Sequence, residues 1–389
     1  MQMLLNNRGR IILIVIALAA VVATIAGAAA LMGVREAEAE PSAPTLAPTP
    51  APTPVAKVEL PATGVARIPD GGADLWLGPD RDPYFRIHEG MALPFLHRSD
   101  DWLLVTTNCN DTAWVREEDV TVVAAGENQP VGPEFDVSQA VIVLDPGHGA
   151  RDWGGVGPTG LAEKAVNLDI ADRVRQLMEA PRDVDWNSGS VAPGNSVPSF
   201  GDVVLTRDVV GPNEGDFEAN LGFRSTMATA ARADALISIH NNTVPRVDSD
   251  IPGSEVFYST AVEDSERLAG IIYEELLLSL SPFDADWTGG ELLGARARLD
   301  PDTGEDYYGL LRRATVPSVI VEGVYISEPD EEALLASGEF RQAYAEAIYR
   351  GVLRFLTSTD VGAEPNRPEY FLYDAGTVSG DVCTVPAQP

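Results

Sequence analysis

The chain reads as an α/β protein built on a twisted, mostly parallel sheet with helices on both faces, preceded by a small all-β domain and an apolar N-terminal segment. Three observations predict this. From about residue 139 onward, short apolar runs of buried-strand type alternate with helical periods. Residues 59–125 carry only short apolar runs broken by Gly, Pro, Asp and Asn. Ile11 to Val34 holds no charged residue over 24 positions.

With 389 residues the chain has room for two or three domains at roughly 100 to 200 residues each, and 45% apolar content supports a sizeable core. Acidic residues number 59 against 27 basic ones, for a net charge of -32. That field repels a polyphosphate backbone, so nucleic acid is excluded as a partner. Cys109 and Cys383 are too few for a disulfide framework or a Cys-rich zinc site, and they pair once or not at all.

Residues 1–40 form a cytoplasmic stub and a transmembrane anchor or signal segment. The uncharged run is long enough to cross a hydrocarbon core of about 30 Å. Arg8 and Arg10 before it and Glu36, Glu38 and Glu40 after it place the remainder outside the cytoplasm. A cleaved signal peptide is the competing reading, although its apolar region is usually about 7 to 15 residues. Both export the protein. Residues 41–58 are a Pro-rich linker, with six prolines between Pro41 and Pro54, which favours extended polyproline II.

Residues 59–125 contain the strand-like runs Ala73 to Leu77, Met91 to Leu96, Trp102 to Thr106 and Thr112 to Val115. Residues 126–138 read as a second linker. In the α/β part, residues 139–357, the strand runs are Val141 to Leu144, Val203 to Thr206, Ala235 to Ile239, Glu255 to Tyr258 and Ser318 to Val321. Helical periods lie between and after them, as in Val166, Ile170, Val174 and Leu177, or Phe340, Tyr344, Ile348 and Val352. Residues 181–202 and 281–306 read as inserted loops, and 358–389 as a tail with little periodicity.

The chemistry sits at strand ends, where open α/β sheets place their sites. The α/β part contains two histidines, His148 and His240, and each follows an apolar strand run directly. A catalytic zinc site wants three N or O ligands and an open position for water. Glu163, at the start of a helix, is the best-placed third ligand, giving a His2Glu set for one Zn2+. Water on such an ion has a pKa near 7 and needs a carboxylate to shuttle protons. Glu322 ends the run Val316 to Val321 and fits that role.

These residues carry a family resemblance. His148 in Leu144-Asp145-Pro146-Gly147-His148-Gly149, Glu163 before Lys164, Leu205-Thr206-Arg207, Leu221 with Arg224, Ser238 to Asn242, and Val321 to Ser327 fall in the order seen in N-acetylmuramoyl-L-alanine amidases of the Amidase_3 type. The similarity covers about residues 139–357. It implies a three-layer α/β fold similar to phosphorylase/hydrolase-like folds. It also implies zinc on His148, Glu163 and His240, Glu322 as acid/base, and peptidoglycan cut between N-acetylmuramic acid and L-alanine. Ala150, Tyr325 and Glu328 depart from the family pattern and touch none of these four positions. Residues 59–125, with Leu75 to Pro79, Asp101-Trp102 and Ala113 to Val115, resemble a bacterial SH3-like (SH3b) domain, which implies an accessory wall-targeting role.

Asp145 reads either as an acceptor for a ligand imidazole or as a turn former. Arg207 and Arg224 read as structural ion-pair partners, Asn242 as a positioning residue, and 281–306 either as a lid over the zinc or as a plain surface loop. Two alternative functions compete with the amidase. One is a catalytically silent, peptidoglycan-binding scaffold of the envelope; the other is a zinc peptidase cutting within the stem.

Overall fold

A computed structural model describes residues 64–107, 111–127, 129–149, 152–207, 221–244, 247–290 and 292–371. The apolar N-terminal run with its membrane expectation, the Pro-rich linker, Ala150, Cys109 and Cys383 lie outside them. Among the described residues no helix is long and apolar enough to cross a membrane.

The first seven strands are β1 (Gly64–Arg67), β2 (Ala73–Trp76), β3 (Pro83–Ile87), β4 (Ala92–Ser99), β5 (Trp102–Thr106), β6 (Thr112–Arg116) and β7 (Thr121–Ala124). They form one antiparallel sheet in the order β3-β2-β6-β5-β4-β1-β7. Leu75, Leu93, Leu103, Val105 and Val115 are buried, while Trp76, Trp102 and Trp114 on the other face are half-buried.

The α/β part runs β8 (Val141–Pro146), α1 (Glu163–Met178), β9 (Arg182–Asp185), β10 (Ser190–Pro193), β11 (Asp202–Leu205), α2 (Leu221–Ala231), β12 (Ala235–Asn242), β13 (Val247–Asp248) and β14 (Glu255–Tyr258). It continues with α3 (Ser265–Leu280), β15 (Thr288–Gly289), β16 (Gly294–Arg296), β17 (Arg298–Leu299), α4 (Gly309–Arg313), β18 (Ser318–Tyr325), α5 (Pro329–Ala336), α6 (Gly338–Thr357) and β19 (Glu369–Tyr370). The main sheet has the order β11-β8-β12-β18-β14-β16. Its first four strands are parallel, whereas β14 runs antiparallel to β18, so the sheet is mixed.

Side-chain alternation along each strand feeds two cores. Ile142, Leu144, Ile237, Ile239, Val319 and Val321 pack with apolar residues of α1, α3 and α6. Val141, Val143, Leu236 and Ile320 pack on the opposite face with Phe223 and Met227 of α2 and Leu310 of α4. That second core is continuous with Val65, Leu93 and Val115 of the N-terminal sheet. The small sheet is therefore joined to the α/β domain by a shared apolar interior. Residues 126–138 are bonded down as well: the Gly126 N–H donates to Ala231 O at 2.8 Å, and Phe135 and Val137 are buried.

Three stretches without periodicity prove structured. Residues 181–202 hold the β9–β10 hairpin, in which Val184 faces Val191 and both pack on the core. Segment 281–306 contributes β16 to the main sheet, and its Trp287 is buried near Phe340, ring centroids 6.5 Å apart. It is not a plain surface loop, and among its described residues none lines the cavity into which His148 and His240 open. The physical reason is anchoring, because a buried indole holds the segment in the core. In the tail, β19 pairs in parallel with β17.

Candidate metal centre

The loop after β8 is shaped by two arginines. Arg224 donates to Asp145 at 2.7 Å and to the carbonyls of Pro146 and His148 at 2.9 and 2.7 Å. Arg207 donates to the carbonyls of Pro146, Gly147 and Lys164 at 2.9, 3.1 and 2.7 Å. Asp145 also accepts from Thr206 at 2.5 Å and Ser238 at 2.6 Å. Burial alone would raise its pKa, but Arg224 and the two hydroxyls outweigh that and hold it below the usual carboxylate range. Bound by Arg224, Thr206 and Ser238, Asp145 anchors the loop. Held in this way, His148 adopts φ +62°, a backbone region uncommon for residues with a Cβ.

The imidazole acceptor is Asp152, which sequence reasoning missed. Its Oδ2 lies 2.8 Å from His148 Nδ1, and its Oδ1 accepts the Gly154 N–H at 3.0 Å. With Nδ1–H directed to Asp152, His148 offers Nε2, which lies 3.1 Å from Glu163 Oε2. Glu163 is the first residue of α1. Its carboxylate accepts the Gly155 N–H at 2.7 Å, the Asn241 N–H at 3.0 Å and the Asn167 side chain at 3.1 Å. His240, at the end of β12, brings Nδ1 to 3.2 Å from Glu163 Oε1. Without a metal, burial would lower the His148 pKa, yet hydrogen bonds to Asp152 and Glu163 raise it to about 10, so a cation bound at Nε2 displaces a proton; burial dominates at His240 and lowers its pKa.

These three side chains fit one divalent cation. Ligand atoms at about 2.1 Å from a tetrahedral ion stand roughly 3.4 Å apart. The Glu163 oxygens sit 3.1 and 3.2 Å from the two imidazole nitrogens, and all three ligand atoms lie within 4.8 Å of one another. Glycine makes the approach possible: a Cβ on Gly147 would stand 2.2 Å from the His240 ring, and one on Gly154 would stand 2.5 Å from Glu163 Oε2.

Glu322 lies on β18 in register with His240 on the adjoining β12. Burial first, then the charges of Glu163 and Glu255, push its pKa up to about 8. Its Oε2 is buried with no hydrogen-bond partner among the described residues, as are Asn241 Oδ1 and Ser327 Oγ. All three residues line one cavity of about 1060 Å³ with His148, Glu163 and His240. Buried polar atoms are rarely left unpaired, and water or a ligand in this cavity can bond all three. Asn242 lines the cavity too, its side chain held by Glu255 at 2.6 Å.

All four sequence-predicted residues thus meet at one sheet edge. Asp152, Asn167 and the half-buried Tyr307 on the cavity wall were not predicted. Asp152 left a faint signal, a carboxylate four residues after His148 in a Gly-rich stretch.

The Amidase_3 family profile, described as N-acetylmuramoyl-L-alanine amidase, matches residues 142–190 and 198–354. The chain belongs to this family. It is 26% identical over 287 residues to the N-acetylmuramoyl-L-alanine amidase AmiC of Neisseria meningitidis serogroup B, a match covering 67% of this chain and 63% of that protein. It is 32% identical over 217 residues to LytC, the corresponding amidase of Bacillus subtilis, covering 55% of this chain and 35% of the relative. The chain thus spans less than two thirds of either protein. Among solved structures, AmiC2 of Nostoc punctiforme is similar at 30% identity and a TM-score of 0.40, covering 56% of this chain and 97% of that one.

Proposed function

We propose that the protein hydrolyses the amide between N-acetylmuramic acid and L-alanine in peptidoglycan, on the extracytoplasmic side of the cell envelope, with one Zn2+ held by His148, Glu163 and His240. The observation that carries the reading is the orphaned Glu322 oxygen in the cavity that the three ligands line. Bound zinc would supply a water of lowered pKa and polarise the scissile carbonyl. Glu322 takes the proton of the attacking water and delivers it to the leaving nitrogen of L-alanine. The C–N bond breaks, leaving a lactyl carboxylate and a free amine. Burial raises the Glu322 pKa in the metal-free protein, and a bound cation would pull it back down, toward the range where one carboxyl can both accept and return a proton. Asp152 fixes the His148 tautomer and ring orientation, as outer carboxylates do for metal-bound imidazoles.

Residues 1–40 act as membrane anchor or signal segment in this reading, and residues 59–125 as an SH3-like module that contacts the wall. Mass spectrometry of fragments released from purified sacculi tests the activity. Peptides with a free N-terminal L-alanine, abolished by chelator and restored by zinc, are expected. Peptides truncated within the stem would instead assign a peptidase.

A further inference from the structure

One wall of the cavity is aromatic and uncharged, formed by Leu221, Tyr307, Tyr308 and Leu310. Tyr307 is half-buried there and is gripped from two sides, by Tyr308 (centroids 5.3 Å apart, rings at 79°) and by Phe371 (5.2 Å, 68°). Phe371 follows β19, beyond residue 354 where the family match ends. The tail that delivers it is pinned along its length. The Asn366 N–H donates to Ala295 O at 2.7 Å, the Glu369 N–H to Ala297 O at 2.9 Å and the Phe371 N–H to Leu299 O at 2.9 Å. The Glu369 carboxylate accepts from Arg298 at 2.7 Å, and Arg298 in turn donates to the Tyr308 hydroxyl. The Tyr307 N–H closes the arrangement on Arg298 O at 2.8 Å.

The geometry points to Tyr307 as the platform for the sugar ring of the substrate, a specificity-determining contact held in place by the C-terminal segment 366–371. The inference rests on the amidase reading and specifies which half of the substrate each wall takes. Carbohydrate is favoured by the chemistry of the wall: a pyranose presents an apolar C–H face of aromatic-ring size. The alanine beside the scissile bond offers a single methyl group. The same cavity is lined by the polar side chains of His148, Asp152 and Asn241, which suit the amide and the peptide. In this arrangement Phe371 and Glu369 are positioning residues, acting through Tyr307 and Tyr308.

The test uses the full zinc-loaded chain and two soluble substrates: a muramyl tripeptide, and the lactyl tripeptide that lacks the sugar. Tyr307→Ala should raise KM about tenfold on the muramyl peptide, with kcat held within about twofold, and leave the lactyl peptide unaffected. Tyr307→Phe, which keeps the ring, should restore the parental KM. Phe371→Ala should shift KM in the same direction by less. Equal loss on both substrates would put the peptide on this wall and overturn the assignment, and so would no loss on either. Calorimetric titration of Glu322→Gln with the muramyl peptide separates this inference from the activity. Binding about tenfold weaker when Tyr307→Ala is added supports the platform even if the parent cuts neither substrate. Unchanged binding removes the platform even if the parent is an amidase.

Discussion

At the scale of the residue, Glu322 carries the account. Glu322→Gln keeps the shape of the side chain and removes its proton chemistry, so turnover should fall at least about 100-fold while zinc remains bound; metal analysis beside a rate assay checks both. A second consequence concerns stability in metal-free protein. The folded pKa of about 8 lies above the ordinary 4.5, so this group's contribution is fully present below about pH 4.5 and is lost as pH rises through 8. The Tm of Glu322→Gln should therefore gain on that of the parent between pH 5 and 9, and a constant gap would contradict the assignment. Asp152→Ala should weaken zinc binding by about 10- to 100-fold, measured by competition with a chromogenic chelator, because His148 loses the acceptor at Nδ1.

Elements explain why these residues meet. Parallel strands β8, β12 and β18 end at one edge, and the loop after β8 delivers His148 while the start of α1 delivers Glu163. Apolar runs ending in His or Glu made this much legible in sequence. Other features left no local trace. Asp145 sits at the end of a strand just as the ligands follow theirs, and only the distant Arg224, Thr206 and Ser238 make it an anchor. The antiparallel direction of β14 against β18 is likewise not specified by composition, since an apolar run reads the same in either direction. Segment 281–306 is rich in Gly, Pro and Asp and reads as loop, because the β13–β15 pairing and the burial of Trp287 are set by residues far away in sequence. Trp287→Ala should consequently destabilise the fold by about 3 to 5 kcal/mol in denaturant melts, a cost expected of a core indole and not of a surface-loop residue.

For the whole molecule, the shared core ties the N-terminal sheet to the α/β domain. Its sequence reads as a separate module on linkers, yet Val65, Leu93 and Val115 belong to the same apolar cluster as Val143, Phe223 and Leu236. A chain shortened to residues 126–389 should expose that face, and lose solubility or several degrees of Tm relative to the full chain. Equal thermal stability of the two would show the sheet to be dispensable. The tail has the same logic, since β19 completes the surroundings of Tyr307 from outside the family-matched region.

The central claim is that two imidazoles and one carboxylate grip a single ion beside Glu322. Anomalous diffraction at the zinc edge from crystals of the full chain tests it most directly. The account predicts one peak per molecule between His148, Glu163 and His240, absent from His240→Ala crystals and present in Glu322→Gln. No peak there, or a peak held by other side chains, would contradict it.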